Sequence, residues 1–263
     1  MISKILAIAK QNAKEGLYYR FDLLLYIFNF IIEITVYVFI WLAIYNNGNQ
    51  ILGMSFEQIT TYYILVVSLS PIINWGINEI MGNAIREGEI LRELLNPISY
   101  FKYYFGIRVG ELIESAIVGI AVFGLCALLF GVLLPAGIVN FIFFILVTCL
   151  AIVVVYFFEI IIGTTAFYTN SIWGVEIFKR AVLSIFSGMI APITLFPEFL
   201  QKIANILPFK DCIYTPISIY FGELSNIEIL QVILKQCIWI AILYIIAKIL
   251  FNRAIKKITI NGG

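Results

Sequence analysis

Met81-Gly-Asn-Ala-Ile-Arg86-Glu-Gly-Glu-Ile-Leu-Arg92-Glu-Leu-Leu-Asn-Pro97 is the stretch on which the fold turns. It is short and charged, and long apolar runs flank it on both sides. If those runs cross a bilayer, the stretch between them stands in water. Wound as a helix, it places Met81, Ala84, Ile85, Gly88, Leu91 and Leu95 on one face and gathers Arg86, Glu89 and Glu93 opposite, close to amphipathic spacing. Asn96-Pro97 ends it, because the residue before a proline is driven out of helical geometry. Gly88 offers an alternative break into two shorter pieces. A two-faced helix of this kind serves equally to dock a partner protein or to lie on the membrane surface.

The composition agrees with membrane flanks. Of 263 residues, 62% are hydrophobic and 13% charged, half of the roughly 25% charged in an average soluble domain; the mean hydropathy is +1.01. The expected fold is all-α and polytopic, with room for several spans of about 20 residues and no large soluble domain. A net charge of +1 without a basic patch speaks against a nucleic-acid partner. The absence of histidine removes His-ligated zinc and haem and Ser-His catalysis. No Gly-x-x-x-x-Gly-Lys-Ser/Thr string occurs, so the chain has no phosphate loop of its own. The four cysteines show no metal-ligand spacing. No catalytic residue, metal or bound cofactor is therefore expected.

Residues 1–20 form an amphipathic pattern, with Ile2, Ile5, Leu6, Ala9, Ala13 and Leu17 on one face and Lys4 and Lys14 on the other. That pattern suits an interfacial helix contacting membrane lipid. Residues 21–251 hold six expected spans, at about 21–45, 59–80, 106–134, 138–168, 181–195 and 227–251. Pro192, Pro197, Pro208 and Pro216 punctuate the region before the last span. Residues 197–222 accordingly read as two short re-entrant or interfacial helices on the outer side, where non-helical backbone must be buried in protein or line a cavity. Residues 252–263 form a tail. Only Lys202, Lys210 and Lys235 of the 17 Lys and Arg fall on one side of this arrangement. Both termini and residues 81–97 are then cytoplasmic.

Polar residues inside the spans are functional candidates by default. Asn29 and Glu33 lie on the first span, Glu33 near mid-bilayer. The plainer expectation for Glu33 is a hydrogen-bonded or protonated packing residue at a helix interface. Arg108, Glu111, Glu114 and Glu159 fall at similar depth on adjacent spans; they read as an ion-pair cluster fixing helix packing, with a substrate role as the alternative.

Taken in order, these parts resemble the membrane subunit of type-2 ABC transporters, the exporter-type permeases. The resemblance rests on the amphipathic N-terminus, the six spans, the charged loop ending in Leu94-Leu95-Asn96-Pro97, and the string Pro192-Ile-Thr-Leu-Phe-Pro197 followed by Pro208 and Pro216. It implies a non-catalytic subunit whose partner, a separate cytoplasmic ABC ATPase, binds ATP and Mg. Arg86, Glu87, Gly88, Glu89, Leu91, Arg92, Glu93, Leu95, Asn96 and Pro97 would then couple to that ATPase. It also implies a second permease, as a homodimer or a sibling heterodimer, in the plasma membrane. Small-residue pairs such as Ser115/Gly119 and Ser187/Ala191 permit close helix contact and are expected at that contact. A small dimeric secondary transporter using Glu33, or a non-transport membrane scaffold, are the competing classes.

Overall fold

Inside a bilayer every backbone polar group must be satisfied within its own segment, so long apolar runs become helices. The computed structural model describes residues 2–18, 20–46, 53–73, 76–95, 97–169 and 173–256, and every regular element among them is helical. In chain order these are α1 (Ile2–Tyr18), α2 (Arg20–Asn46), α3 (Phe56–Ile73), α4 (Ile77–Arg86), α5 (Ile90–Leu94), α6 (Tyr100–Phe130), α7 (Ile138–Thr164), α8 (Trp173–Phe186), α9 (Glu198–Ile206), α10 (Tyr214–Tyr220) and α11 (Asn226–Ile255). Among the described residues five stretches are long and apolar enough to cross a membrane: Phe21–Asn46, Phe56–Arg86, Tyr100–Phe130, Ile138–Phe167 and Asn226–Ile255.

The fifth expected span, 181–195, is not among them. The helix in that region, α8, starts earlier, inside the stretch read as a loop, and stops at Phe186. Its 14 residues rise only ~21 Å, short of the roughly 30 Å hydrocarbon core. Pro192 does not end it. The chain turns at Gly188, whose φ is +88°, the left-handed cap position that costs glycine nothing. The carbonyls exposed by the turn find donors on α3: the Tyr62 hydroxyl donates to Gly188 O at 2.6 Å and the Tyr63 hydroxyl to Ile190 O at 2.8 Å. Within the segment that follows, Pro192 and Ile193 are buried against protein.

Pro197 precedes α9 and Pro208 follows it, while Pro216 sits in the first turn of α10, where its missing N–H would have had no helical partner. The link between α9 and α10 is held from α11. Gln236, fully buried, donates from Nε2 to Asp211 O at 2.8 Å and Val147 O at 3.3 Å. Lys235 Nζ meets Asp211 Oδ2 at 2.7 Å and Asn205 O at 2.6 Å. Lys235, grouped above with charges of the outer side, stands roughly 14 Å of rise inside α11. From there α10 returns to the α6–α7 link, where Ala136 N–H donates to Tyr220 O at 2.9 Å.

α1 packs along α6 over Gly106 and Gly110. A Cβ on Gly110 would lie 2.6 Å from Ala9 O, and one on Gly106 would lie 3.1 Å from Ile8. Small residues therefore face inward: Ala9 and Ala13 are buried, whereas Leu6 and Leu17, expected on the same face, are exposed. The small pairs expected at a subunit contact are used within the chain. Gly119 lies against Ser68 O, 2.5 Å from where its Cβ would be, and Ser115 and Ser187 are buried. Gly110→Leu is expected to lever α1 from α6 and lower thermal stability by about 1–3 kcal/mol, the usual range for overpacking. Gly124→Leu, with nothing within 4 Å of its Cβ, should leave the melting temperature unchanged, and equal effects of the two would refute the α1–α6 contact.

Candidate functional site

α4 continues the second span and ends at Arg86, where Glu87 N–H still donates to Asn83 O at 2.9 Å. Gly88 then takes φ +78° with open space around its Cβ position, so backbone geometry alone selects glycine there. This break splits the amphipathic stripe. Met81 and Ala84 turn inward with α4, and Ile90 turns inward with α5, packing with Tyr100, Tyr104, Ile160 and Phe251. Glu93 follows Ile90 inward rather than gathering with Arg86 and Glu89, because the left-handed residue rotates the turn after it. Its Oε2 accepts from the Tyr104 hydroxyl at 2.7 Å. Burial raises the Glu93 pKa, and that hydrogen bond offsets part of the rise.

What remains outside is a compact surface. Leu95 is 85% exposed and Leu91 41% exposed; Arg86, Glu87, Gly88, Glu89, Arg92 and Pro97 are exposed beside them. Asn96 lies outside the described residues. Two leucines stand free among charges, on a turn anchored from behind by Ile90, Glu93 and Leu94.

Behind the turn lies a buried ionic network. Lys179 of α8, 1% exposed, meets Glu159 Oε1 of α7 at 3.2 Å and Glu176 Oε2 at 3.1 Å, and donates to Asn78 Oδ1 of α4 at 2.7 Å. The Asn78 amide also donates to Glu176. Arg180 extends the network outward, to Glu176 at 2.8 Å and Glu79 at 3.3 Å. Lys179 is therefore no free loop charge; two carboxylates hold it in place. The expected cluster is in part present. Glu159 is held by Lys179 and lies within electrostatic reach of Arg108. Arg108 pairs with Glu111 at 3.9 Å and donates to the carbonyls of Ile72 and Ile73, the unsatisfied end of α3. Glu114 lies apart, with its carboxylate beside Gly16 of α1. The sequence places Asn78 toward the inner end of the second span and Lys179 and Arg180 at the end of a loop, and assigns Glu176 no place. Their i,i+3 and i,i+4 spacing within α8 was a signal, but the partners on α4 and α7 lie far away in sequence.

The network forms one wall of an open cleft of about 630 Å³, within the range of small-molecule sites. Ser70, Pro71, Gly76, Glu79 and Asn83 line it from α3 and α4, Glu176, Lys179 and Arg180 from α8, and Tyr26 and Phe30 from α2. Of the polar residues expected on the first span, Asn29 is exposed and donates to Leu25 O of its own helix at 2.9 Å. Glu33 is exposed and has no hydrogen bond or ion pair among the described residues.

A protein-family model described as "ABC-2 family transporter protein" matches residues 31–262. No curated protein matches the chain.

Proposed function

The chain belongs to the ABC-2 family of transporter proteins and is a multi-pass permease; on that premise we propose that it is the membrane subunit of an ATP-driven exporter. A separate cytoplasmic ATPase carrying ATP and Mg seats on the surface of Arg86, Glu87, Glu89, Leu91, Arg92 and Leu95. Two permeases, as a homodimer or a sibling pair, complete the path. The end carrying α1 and α5 faces the cytoplasm across the plasma membrane, in keeping with the Lys and Arg distribution.

The observation that carries this reading is mechanical continuity. The docking turn is rooted in α4, and the first turn of α4 grips α8 through Asn78 and Glu79. Since α8 walls the cleft, movement imposed on the turn reaches the cleft through side chains rather than lipid. Arg108 takes up the last carbonyls of α3, so α3 can end where α4 begins without leaving buried acceptors unpaired. The secondary-transporter reading is favoured by one observation only, the unpaired Glu33 on the first span.

Inside-out vesicles holding this chain and its co-expressed ATPase decide between the two. Accumulation of a fluorescent amphiphile is expected to start on adding ATP and to persist with a protonophore present. Accumulation that needs no ATP and collapses with the protonophore would establish the secondary transporter instead.

A further inference from the structure

Two charges of opposite sign stand within the spanning part of this chain without a counter-ion. Glu33 on α2 is exposed and forms no hydrogen bond or ion pair among the described residues. Lys210, half-buried in the link between α9 and α10, donates to Asn205 Oδ1 at 2.5 Å and lies 5.8 Å from the centre of the Tyr214 ring. Both of these partners are neutral. The neighbouring carboxylate, Asp211, is buried and already holds Lys235 at 2.7 Å and the Thr215 hydroxyl at 2.8 Å. Two ammonium groups thus share one carboxylate, and the link carries a surplus positive charge.

Contacts through α3 relate the depths of the two charges. Tyr37, one turn from Glu33, stacks on Tyr63 at 4.4 Å. The ring of the next residue, Tyr62, lies 6.3 Å from that of Tyr214, which Lys210 covers. Tyr37, Tyr63, Tyr62, Tyr214 and Lys210 form one layer across the bundle, and Glu33 stands ~6 Å of helix rise from it. Both charges lie among exposed apolar side chains, Ile32 and Val36 on α2 and Ile206 beside Asn205.

Hydrocarbon holds no counter-ion, so ionisable groups at such depth pair with one another. A two-fold dimer satisfies both charges at once, because when residue i of one copy meets residue j of the other, j also meets i. Building on the reading that two permeases complete the path, we propose that the second is another copy of this chain, with Glu33 of each copy paired to Lys210 of the other.

The test co-expresses the full-length chain in two differently tagged forms, captures one tag and measures how much of the other comes with it. The wild type is expected to capture itself. Glu33→Lys in both forms sets lysine against lysine and should weaken capture about tenfold or more, the size of one interfacial charge pair. Lys210→Glu in both forms should do the same. Glu33→Lys in one form with Lys210→Glu in the other restores opposite charges at both contacts, and capture should return close to the wild-type level. A second reading needs no charge reversal. With the exposed Cys149 and Cys237 replaced by serine, a Glu33→Cys chain co-expressed with a Lys210→Cys chain should be joined by a short bis-maleimide, whereas either chain alone should not. Undiminished capture by Glu33→Lys would overturn the proposal, as would a mixture of two stably folded single variants captured no better than either one. If Lys210→Glu does not fold, the cysteine pair decides, and no cross-link overturns the contact. The exporter reading fails separately. A dimer that depends on Glu33 and Lys210 but shows no ATP-driven transport beside a co-expressed ATPase removes the exporter and leaves the contact. ATP-driven transport by a complex holding one copy of this chain beside a sibling permease removes the contact and leaves the exporter.

Discussion

Joint replacement of Leu91 and Leu95 by aspartate is expected to abolish co-purification of the proposed ATPase and ATP-driven transport, while membrane insertion and thermal stability stay at wild-type values. Both side chains are exposed in the isolated chain, so their removal costs the fold little, within about 0.5 kcal/mol for a surface site. An apolar side chain at the centre of an interface is worth about 2–4 kcal/mol when lost, a roughly 30- to 1,000-fold loss of affinity. Leu94→Asp serves as the contrast. Leu94 packs against the cluster formed by Ile90, Tyr104 and Phe251, so its replacement destabilises the permease itself. A complex that survives the Leu91/Leu95 double replacement with transport intact would remove the docking assignment.

The second large effect is expected at Lys179. Lys179→Met leaves Glu159, fully buried, and Glu176 without their shared cation. Breaking a buried pair from one side costs about 3–5 kcal/mol, because the remaining charge is stranded. Most of the variant should fail to appear as a monodisperse, folded species on size exclusion. Adding Glu159→Gln to Lys179→Met removes the stranded charge and should recover part of the folded yield. Arg180→Gln gives the scale for comparison: Arg180 is 64% exposed, and a pair of that exposure contributes about 0–1 kcal/mol. Lys179→Met and Arg180→Gln of equal stability would show that the network does not hold α8.

These two sites also mark how far the sequence could be read. The charged turn between the second and third spans was legible because polar residues between apolar runs have only one place to be, and because Gly88 and Pro97 are local signals. Its orientation was not. One residue at φ +78° rotates everything after it, and helical periodicity assumes no such residue. The network was hidden for a different reason. Charge counting treats every lysine as solvated, and Lys179 meets Asn78 across 101 positions of sequence. Proline placement found the boundaries of α9 and α10, where the breaker acts locally. It misplaced the end of α8, where hydrogen bonds from Tyr62 and Tyr63 stabilise a glycine turn well before Pro192. The Gly106/Gly110 spacing was visible in the sequence, but what it receives, the small-residue face of α1, depends on a packing arrangement that no local pattern specifies.

The bonds from Gln236 and Lys235 to residues 205–211 set an order of events during synthesis. Neither α9 nor α10 is long enough to be released into lipid as a spanning helix, and the link between them leaves carbonyls that hydrocarbon cannot satisfy. Their donors reside in α11, which is translated afterwards. Until α11 has entered the membrane beside α7, the carbonyls of Asn205, Ile206 and Asp211 within residues 197–222 lack these donors. A nascent chain stalled before Asn226 should therefore keep this segment at the insertion machinery or at the membrane surface, open to quality-control proteases. α11 is thus a checkpoint for the placement of residues 205–211, and chains truncated within it should be cleared by the cell rather than accumulate.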